Sequence, residues 1–224
     1  MTLFNQNSIV RGELLVAVGQ SQLAIQDFTN AISKHPNAVK PYYSRGQAYF
    51  SVGDTKHALE DLTKAIEIDP KSAASYYLRS GIHLRIGIYD SALVDIKTYI
   101  NLSPNDPQGY YQHGLICKMT EDHQTSLQYF DKYINLVPND ADGYYYRSGA
   151  YLGLQRTTEA LNDINKAISL SPKDAPILYY RGQIYKTLGE KQKALNDISK
   201  AIKMGLPQGM EQSAKELLIE IKKL

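Results

Sequence analysis

The stretch Tyr42-Tyr43-Ser44-Arg45-Gly46-Gln47-Ala48-Tyr49, followed by Gly53, then by Ala58, Leu59, Leu62, Ala65, Ile66 and finally Pro70, decides how the chain is read. Its apolar and small residues recur at helical spacing on both sides of Gly53. That pattern marks two amphipathic helices joined at a glycine turn. The stretch is also repeated at a step of 34 residues. One column reads Ile32, Ile66, Ile100, Ile134, Ile168, Ile202, and another Ile25, Leu59, Leu93, Leu127, Leu161, Leu195. A third is Ala24, Ala58, Ala92, Ser126, Ala160, Ala194, and a fourth is Pro36, Pro70, Pro104, Pro138, Pro172, ending in Leu206. Gly12, Gly46, Ser80, Gly114, Ser148 and Gly182 keep a small residue where two helices approach. Six copies in one register are not chance, and a period of this length builds stacked supersecondary units.

Punctuation follows the same period. Gly19, Gly53, Gly87 and Gly189 mark the turn inside a unit, and Ser21, Thr55 and Thr157 are expected to cap the second helix. Asp106-Pro107 sets a capping side chain before a proline at the first helical position, a signal weakened to Ser72, Asp140 and Asp174 elsewhere. Beyond the last full unit, Gly209 to Leu224 breaks the period but places Met210, Ala214, Leu217 and Ile221 on one face. A stack of repeats needs such an end with a polar outer face. The first helix has no such cover and carries Ile9, Val10, Leu14, Leu15, Val16 and Val18.

This helix–turn–helix unit, with its tyrosine, alanine and proline columns, resembles the tetratricopeptide repeat. Tyr42, Tyr76, Tyr110 and Tyr144 stand where that family often has tryptophan, which accounts for part of an excess of 18 tyrosines over no tryptophan. Pentatricopeptide repeats run one residue longer and lack these columns. The resemblance implies an all-α fold, a right-handed superhelical solenoid forming one domain over residues 1–224. Six repeats fall at about 5–38, 39–72, 73–106, 107–140, 141–174 and 175–208, with a capping helix at 209–224. It further implies a concave groove lined by the first helix of each unit.

Composition limits the function. With 43% apolar and 21% charged residues the chain is an ordinary globular one, and its net charge of +2 comes from interleaved signs. Bulk electrostatic binding to nucleic acid or an anionic membrane is therefore not expected. No apolar run is long enough to span a bilayer. Met1 to Val10 lack the character of a signal peptide, and a single cysteine, Cys117, makes no internal disulfide, so a cytoplasmic location is favoured. The five histidines show no zinc spacing, no phosphate-binding glycine loop occurs, and Cys117 falls in a core column. No enzyme, cofactor or metal is expected.

Two kinds of column remain. Arg11, Arg45, Arg79, His113, Arg147 and Arg181 vary together with Asp27, Asp61, Asp95, Tyr129, Asp163 and Asp197, and the one unit without the arginine also lacks the aspartate. This predicts a salt bridge tying the two helices of each unit. The fourth unit is also irregular at Cys117, Glu121, Ser126 and Tyr133. The second kind is a ladder one residue beyond the core tyrosines: Tyr43, Tyr77, Tyr111, Tyr145 and Tyr179. One residue is about 100° of helix, so the ladder turns toward the groove. Gln47, Gln112, Arg85, Lys118 and Lys186 share that face, and Gly81 and Gly149 are expected to leave room for an inserted side chain. The lysines and asparagines with which some family members clamp an acidic chaperone tail are missing, as is the asparagine ladder of the sugar-transferring members. The expected function is a non-catalytic scaffold that holds a peptide or helix of a partner protein through those ten residues. The alternatives are a structural module that oligomerises through the N-terminal helix, or the scaffold part of a larger protein or complex.

Overall fold

The computed structural model describes residues 3–223; Leu224, the end of the expected cap, lies outside them. The described residues form thirteen helices and no strand. They are α1 (Leu3–Ala17), α2 (Ser21–Lys34), α3 (Val39–Ser51), α4 (Thr55–Ile68), α5 (Ala73–Arg85), α6 (Tyr89–Leu102), α7 (Pro107–Met119), α8 (His123–Leu136), α9 (Ala141–Gly153), α10 (Thr157–Leu170), α11 (Ala175–Thr187), α12 (Lys191–Met204) and α13 (Gln208–Lys223). They group into two compact units, residues 1–116 and 117–224. In the first, α1/α2, α3/α4 and α5/α6 are hairpins, each packed on the next. In the second, α8 packs on the hairpin α9/α10, which is followed by α11/α12 and then α13.

The columns of the sequence become layers of core. Phe28, Leu62 and Ile96 in one unit, and Phe130, Ile164 and Ile198 in the other, are each fully buried and lie 34 residues apart. Burying each such side chain contributes about 1.5–3 kcal/mol. Beside them the alanines of the second helices, such as Ala58, Ala65, Ala160 and Ala167, are also fully buried and let the helices approach. At the C-terminus α13 covers the last hairpin with Ala214, Leu217 and Ile221, joining Leu178, Ala194 and Ile198 in one cluster.

Each turn reverses through a left-handed residue. Gly19, Gly53, Gly87 and Gly189 have φ between 73° and 85°. In the same column Glu121 and Gln155 adopt φ of 58° and 59°, a conformation that costs an ordinary residue about 1–2 kcal/mol. The second helices begin at the expected caps themselves, so the true caps lie one residue earlier. Ser21, Thr55 and Thr157 are first helical residues, and Gln20, Asp54 and Arg156 precede them. Of these three only Asp54 caps with its side chain, accepting from the His57 amide at 3.2 Å. Asp122, Asp140 and Asp174 also cap, whereas Ser72 turns its hydroxyl to Ser75 instead. Asp106 accepts from the Gln108 amide at 2.9 Å, with Pro107 first in α7 as expected.

The arginine–aspartate pairs form, and they are two-pronged. Arg45 Nε and Nη2 donate to the two carboxylate oxygens of Asp61 at 2.7 Å each. Arg79 does the same to Asp95, Arg147 to Asp163 and Arg181 to Asp197, all between 2.6 and 2.9 Å. Arg11 pairs with Asp27 in the same way, but its side chain is 70% exposed against 17% for Arg45. A third arm, which the sequence reading missed, reaches back to the preceding hairpin. Arg45 Nη1 donates to Thr29 and Arg79 Nη1 to Thr63, each at 3.0 Å. Arg147 Nη1 donates to Asp131 at 2.6 Å and Arg181 Nη1 to Asn165 at 2.7 Å. That acceptor column reads Thr29, Thr63, Lys97, Asp131, Asn165, and its one lysine precedes the one unit in which histidine replaces arginine. Lysine has no acceptor to offer a guanidinium, so three columns change together.

A second exchange recurs once in each unit. Where other repeats have alanine, Tyr99 and Tyr133 are buried. The Tyr99 hydroxyl donates to Asp106 at 2.5 Å, and Tyr133 donates to Asp140. Each ring needs room, and the next first helix supplies it with glycine. A Cβ on Gly109 would lie 2.9 Å from Tyr99 and Ile100, and one on Gly143 would lie 2.8 Å from Ile134 and 2.9 Å from Tyr133. The tyrosine noticed only in the fourth repeat thus has a counterpart in the third.

Candidate functional site

The first helices α3, α5, α7, α9 and α11 carry the tyrosine ladder, and each unit presents its own part of it. In residues 1–116, Tyr43, Tyr77 and Tyr111 are half-buried. Burial pushes the Tyr43 and Tyr77 hydroxyls up, so both stay neutral. Tyr77 packs on Tyr99 with ring centroids 4.9 Å apart. Arg85 lies over the Phe50 ring at 5.0 Å, a cation–π contact that holds the guanidinium near an exposed surface.

Between α1 and α3 the ladder opens into a cleft of about 350 Å³ lined by Glu13, Val16, Ala17, Phe28, Lys40, Tyr43, Ser44 and Gln47. The local sequence explains it. Val16 is shorter than Phe50, Leu84 or Leu152 at the same place in later repeats, so the wall recedes. Phe28 is fully buried and forms an apolar floor, while Ser44 is buried beside it. The rim is polar: Lys40 and Glu13 pair at 2.9 Å with both side chains well exposed, and the exposed Gln47 offers a free-standing amide at the edge.

Gln112 is placed differently. It is 5% exposed, and its amide donates to the Tyr77 carbonyl at 3.4 Å and to Ser80 Oγ at 3.2 Å. It straps α7 to α5. The space expected beside Gly81 is taken by this strap, whose Nε2 would lie 3.3 Å from an added Cβ. Gly149 is filled in the same manner by the Tyr180 hydroxyl at 3.2 Å. Neither glycine leaves an opening, because an inward-turned polar side chain of the next helix occupies it.

In residues 117–224, Tyr145 sits at the centre of an aromatic cluster. It meets Tyr146 edge-on at 4.9 Å and Tyr180 edge-on at 5.1 Å, and Tyr146 stacks on Phe130 at 5.6 Å. Burial, with Tyr145 beside it, pushes the Tyr180 hydroxyl up to about 12. Lys118 rests its ammonium over Tyr146 at 5.2 Å and remains exposed. Near the start of α9 burial raises the Asp142 carboxyl above its usual range, with Asp140 and Asp174 adding to the shift. Tyr179 is only 7% exposed and belongs to the core cluster covered by α13. Lys186 pairs with both carboxylate oxygens of Glu220 on α13, at 2.8 and 2.9 Å. The expected site residues thus divide. Tyr43 and Gln47 share one cleft, while Tyr77, Tyr111, Tyr145, Arg85 and Lys118 present partly open faces. Gln112, Tyr179 and Lys186 are engaged within the chain.

Among the described residues no helix is long and apolar enough to cross a membrane, and no three histidine, cysteine or acidic side chains converge as a metal site. A family model described as tetratricopeptide repeat matches residues 39–72, and a second of the same description matches 141–174 and 175–204. No curated protein matches the chain by sequence. Solved structures do match in fold. A tetratricopeptide repeat protein from Parabacteroides merdae is 24% identical, with a TM-score of 0.68 over 97% of this chain and 84% of that one. YrrB, described as having an unusual peptide-binding site, is 23% identical with a TM-score of 0.69 over 84% of this chain and 97% of its own. MamA from Desulfovibrio magneticus is 19% identical with a TM-score of 0.71 over 74% and 94%.

Proposed function

This chain belongs to the tetratricopeptide repeat family of protein-interaction scaffolds, and from that premise we propose that it binds an extended peptide segment of a partner protein along its first-helix face, without catalysis. The observation that carries this reading is the cleft between α1 and α3, with its apolar floor of Phe28, its Tyr43 wall and its polar rim at Gln47. An extended peptide offers alternating side chains and a regular row of backbone amides and carbonyls. The cleft takes one apolar side chain, and Gln47 bonds the backbone beside it. Within the same unit as the cleft, Tyr77 and Tyr111 present broad rings with a polar tip, a surface that gives contact area at low entropy cost. Arg85, resting on the Phe50 ring, meets acidic or carbonyl groups of the ligand. The fold likeness to YrrB supports the reading at the level of architecture.

The test is a display library of short random peptides panned on the wild-type chain, with affinities of the selected peptides then measured on Tyr43→Ala and Gln47→Ala. Both variants should remain helical by circular dichroism and lose at least tenfold in affinity. Selected peptides that bind both variants as tightly as wild type would remove the cleft from the site. A second reading, self-association through the N-terminal helix, is favoured by a separate observation: Val10 and Leu14 on α1 are 51% and 63% exposed.

A further inference from the structure

A tyrosine recurs late in the first helices, at Tyr49, Tyr151 and Tyr185, and the arginine of the same hairpin lies over each ring. Arg45 stands over Tyr49 at 5.7 Å, Arg147 over Tyr151 at 5.8 Å and Arg181 over Tyr185 at 5.6 Å. Arg45 and Arg147 also meet a second ring, Tyr42 and Tyr144, so each of those guanidinium groups has two aromatic partners. In the third hairpin, α5/α6, the column holds His83 instead. Arg79 keeps its first ring, Tyr76 at 5.8 Å, and its bonds to Asp95 and Thr63. Among the described residues no second ring meets it. The shorter His83 side chain, with Nδ1 3.4 Å from Asp95, leaves a cleft of about 280 Å³ lined by Arg79, His83, Asp90, Ser91, Val94 and Asp95. Leu15, the other departure from tyrosine in this column within residues 1–116, likewise lines a cleft beside its own arginine, Arg11.

The border of the His83 cleft departs from its columns as well. Val94, 65% exposed, stands where the other repeats have Gln26, Glu60, Gln128, Asn162 and Asn196. Ile88, 46% exposed and three residues before Ser91 of the cleft wall, stands where they have Gln20, Asp54, Asp122, Arg156 and Glu190. The exposed Asp90 is the one acid in its column, beside Gln22, Lys56, Gln124, Thr158 and Gln192. At the Leu15 cleft the first two columns keep glutamine, so the apolar border belongs to the third hairpin. A missing ring, two exposed apolar side chains and a carboxylate thus coincide in one hairpin. Arg79 is two residues from Tyr77, about 200° around α5, so this surface faces away from the tyrosine ladder.

We propose that the His83 cleft is a second docking site, which takes one aromatic side chain of a partner protein with a basic residue beside it in the partner's sequence. The chain itself shows what fits. The partner's ring takes the place that Tyr49, Tyr151 and Tyr185 hold in their own hairpins, and it completes the pair of rings around Arg79. Val94 and Ile88 lose exposed apolar area against the partner segment, and Asp90 pairs with its lysine or arginine. A single aromatic anchor seated in a pocket is where an interface concentrates its binding energy.

The test is a random-peptide library panned on the full wild-type chain and counter-selected on His83→Tyr, in which the chain's own ring fills the cleft as Tyr49 does in its hairpin. Should His83→Tyr not fold, counter-selection on Val94→Gln, a change at an exposed position, takes its place. The selected peptides should share an aromatic residue with lysine or arginine within two positions. Their affinity, read by fluorescence polarisation, should fall at least tenfold in His83→Tyr and Val94→Gln and at least threefold in Asp90→Lys, with circular dichroism unchanged. A library that yields no peptide separating wild type from the filled or polar variant would overturn the site. Selected peptides without an aromatic residue would overturn the ring as its occupant. An affinity that falls in Tyr43→Ala and not in these variants would return the peptides to the first-helix site and overturn this one. Self-association in ultracentrifugation that His83→Tyr abolishes would make a second copy the occupant, against the proposal.

Discussion

Arg147 and Arg11 make the same two-pronged contact with very different access to water, so they separate the value of the pair from its presence. Arg147 is 18% exposed and holds two carboxylates, Asp163 and Asp131, whereas Arg11 is 70% exposed and holds one. Arg147→Ala leaves the buried Asp163 without its cation and should lower stability by about 2–3 kcal/mol, below the range for a fully buried pair because one edge of the guanidinium meets solvent. Arg11→Ala should cost distinctly less in the same chemical-denaturation series. Equal losses would mean that burial does not set the strength of these pairs. The left-handed turns give a prediction of opposite sign. Glu121→Gly and Gln155→Gly relieve backbone strain at the price of a more flexible unfolded chain, and each should raise stability by about 0.5–1 kcal/mol in equilibrium melts. The pair itself was legible because arginine and aspartate disappear from the same repeat. The backward third arm was not, since threonine, aspartate and asparagine share one role there without sharing a residue type.

At the scale of helices, the exchange of alanine for tyrosine explains why two first helices carry glycine near their start. Gly143→Ala would press a methyl group into Ile134 and Tyr133, and Gly109→Ala into Tyr99 and Ile100. Overpacking of this kind costs about 1–3 kcal/mol. Thermal melts should show that loss for both variants. Gly209→Ala, where nothing lies within 4 Å of an added Cβ, should melt near wild type. Helix number, pairing and the turn glycines were all readable from period alone. The caps were misplaced by one residue, because threonine and serine at the first helical position look the same in sequence as threonine and serine before it. The inward turn of Gln112 was hidden for a related reason: one residue of helix separates groove from interface, and only the neighbouring helix decides which side a glutamine takes.

For the whole molecule the tyrosine excess sets a pH limit. Burial raises the hydroxyls of Tyr43, Tyr77, Tyr99, Tyr133, Tyr145, Tyr179 and Tyr180 above their unfolded value, which lies near 10. A raised folded pKa means the neutral phenol is favoured in the fold, so the stability it contributes is complete below about pH 10 and is lost as pH rises through the folded values. Calorimetry should show a melting temperature that is level from neutral pH to about 9.5 and then falls as phenolate absorbance appears. Asp95 acts on the acid side. Burial pushes its carboxyl up, but the bonds from Arg79, with His83 3.4 Å away, outweigh this and hold it below the usual range. Its contribution is present above the unfolded carboxylate value and is lost as pH falls through the lower folded one. Of the candidate site, the tyrosine ladder was visible in the sequence, but the cleft was not, since it arises from one shortened side chain, Val16, near Phe28 and from nothing periodic.

The guanidinium arms reach 16 residues back and 16 residues forward along the chain. During synthesis the backward acceptor has already left the ribosome when each arginine emerges, and the forward aspartate follows about one second later at ordinary elongation rates. The hairpins that carry Arg45, Arg79, Arg147 and Arg181 can therefore be fastened to what precedes them before their own second helix is complete. Contacts this local also keep contact order low and folding fast. For those hairpins the order of assembly can follow the order of translation.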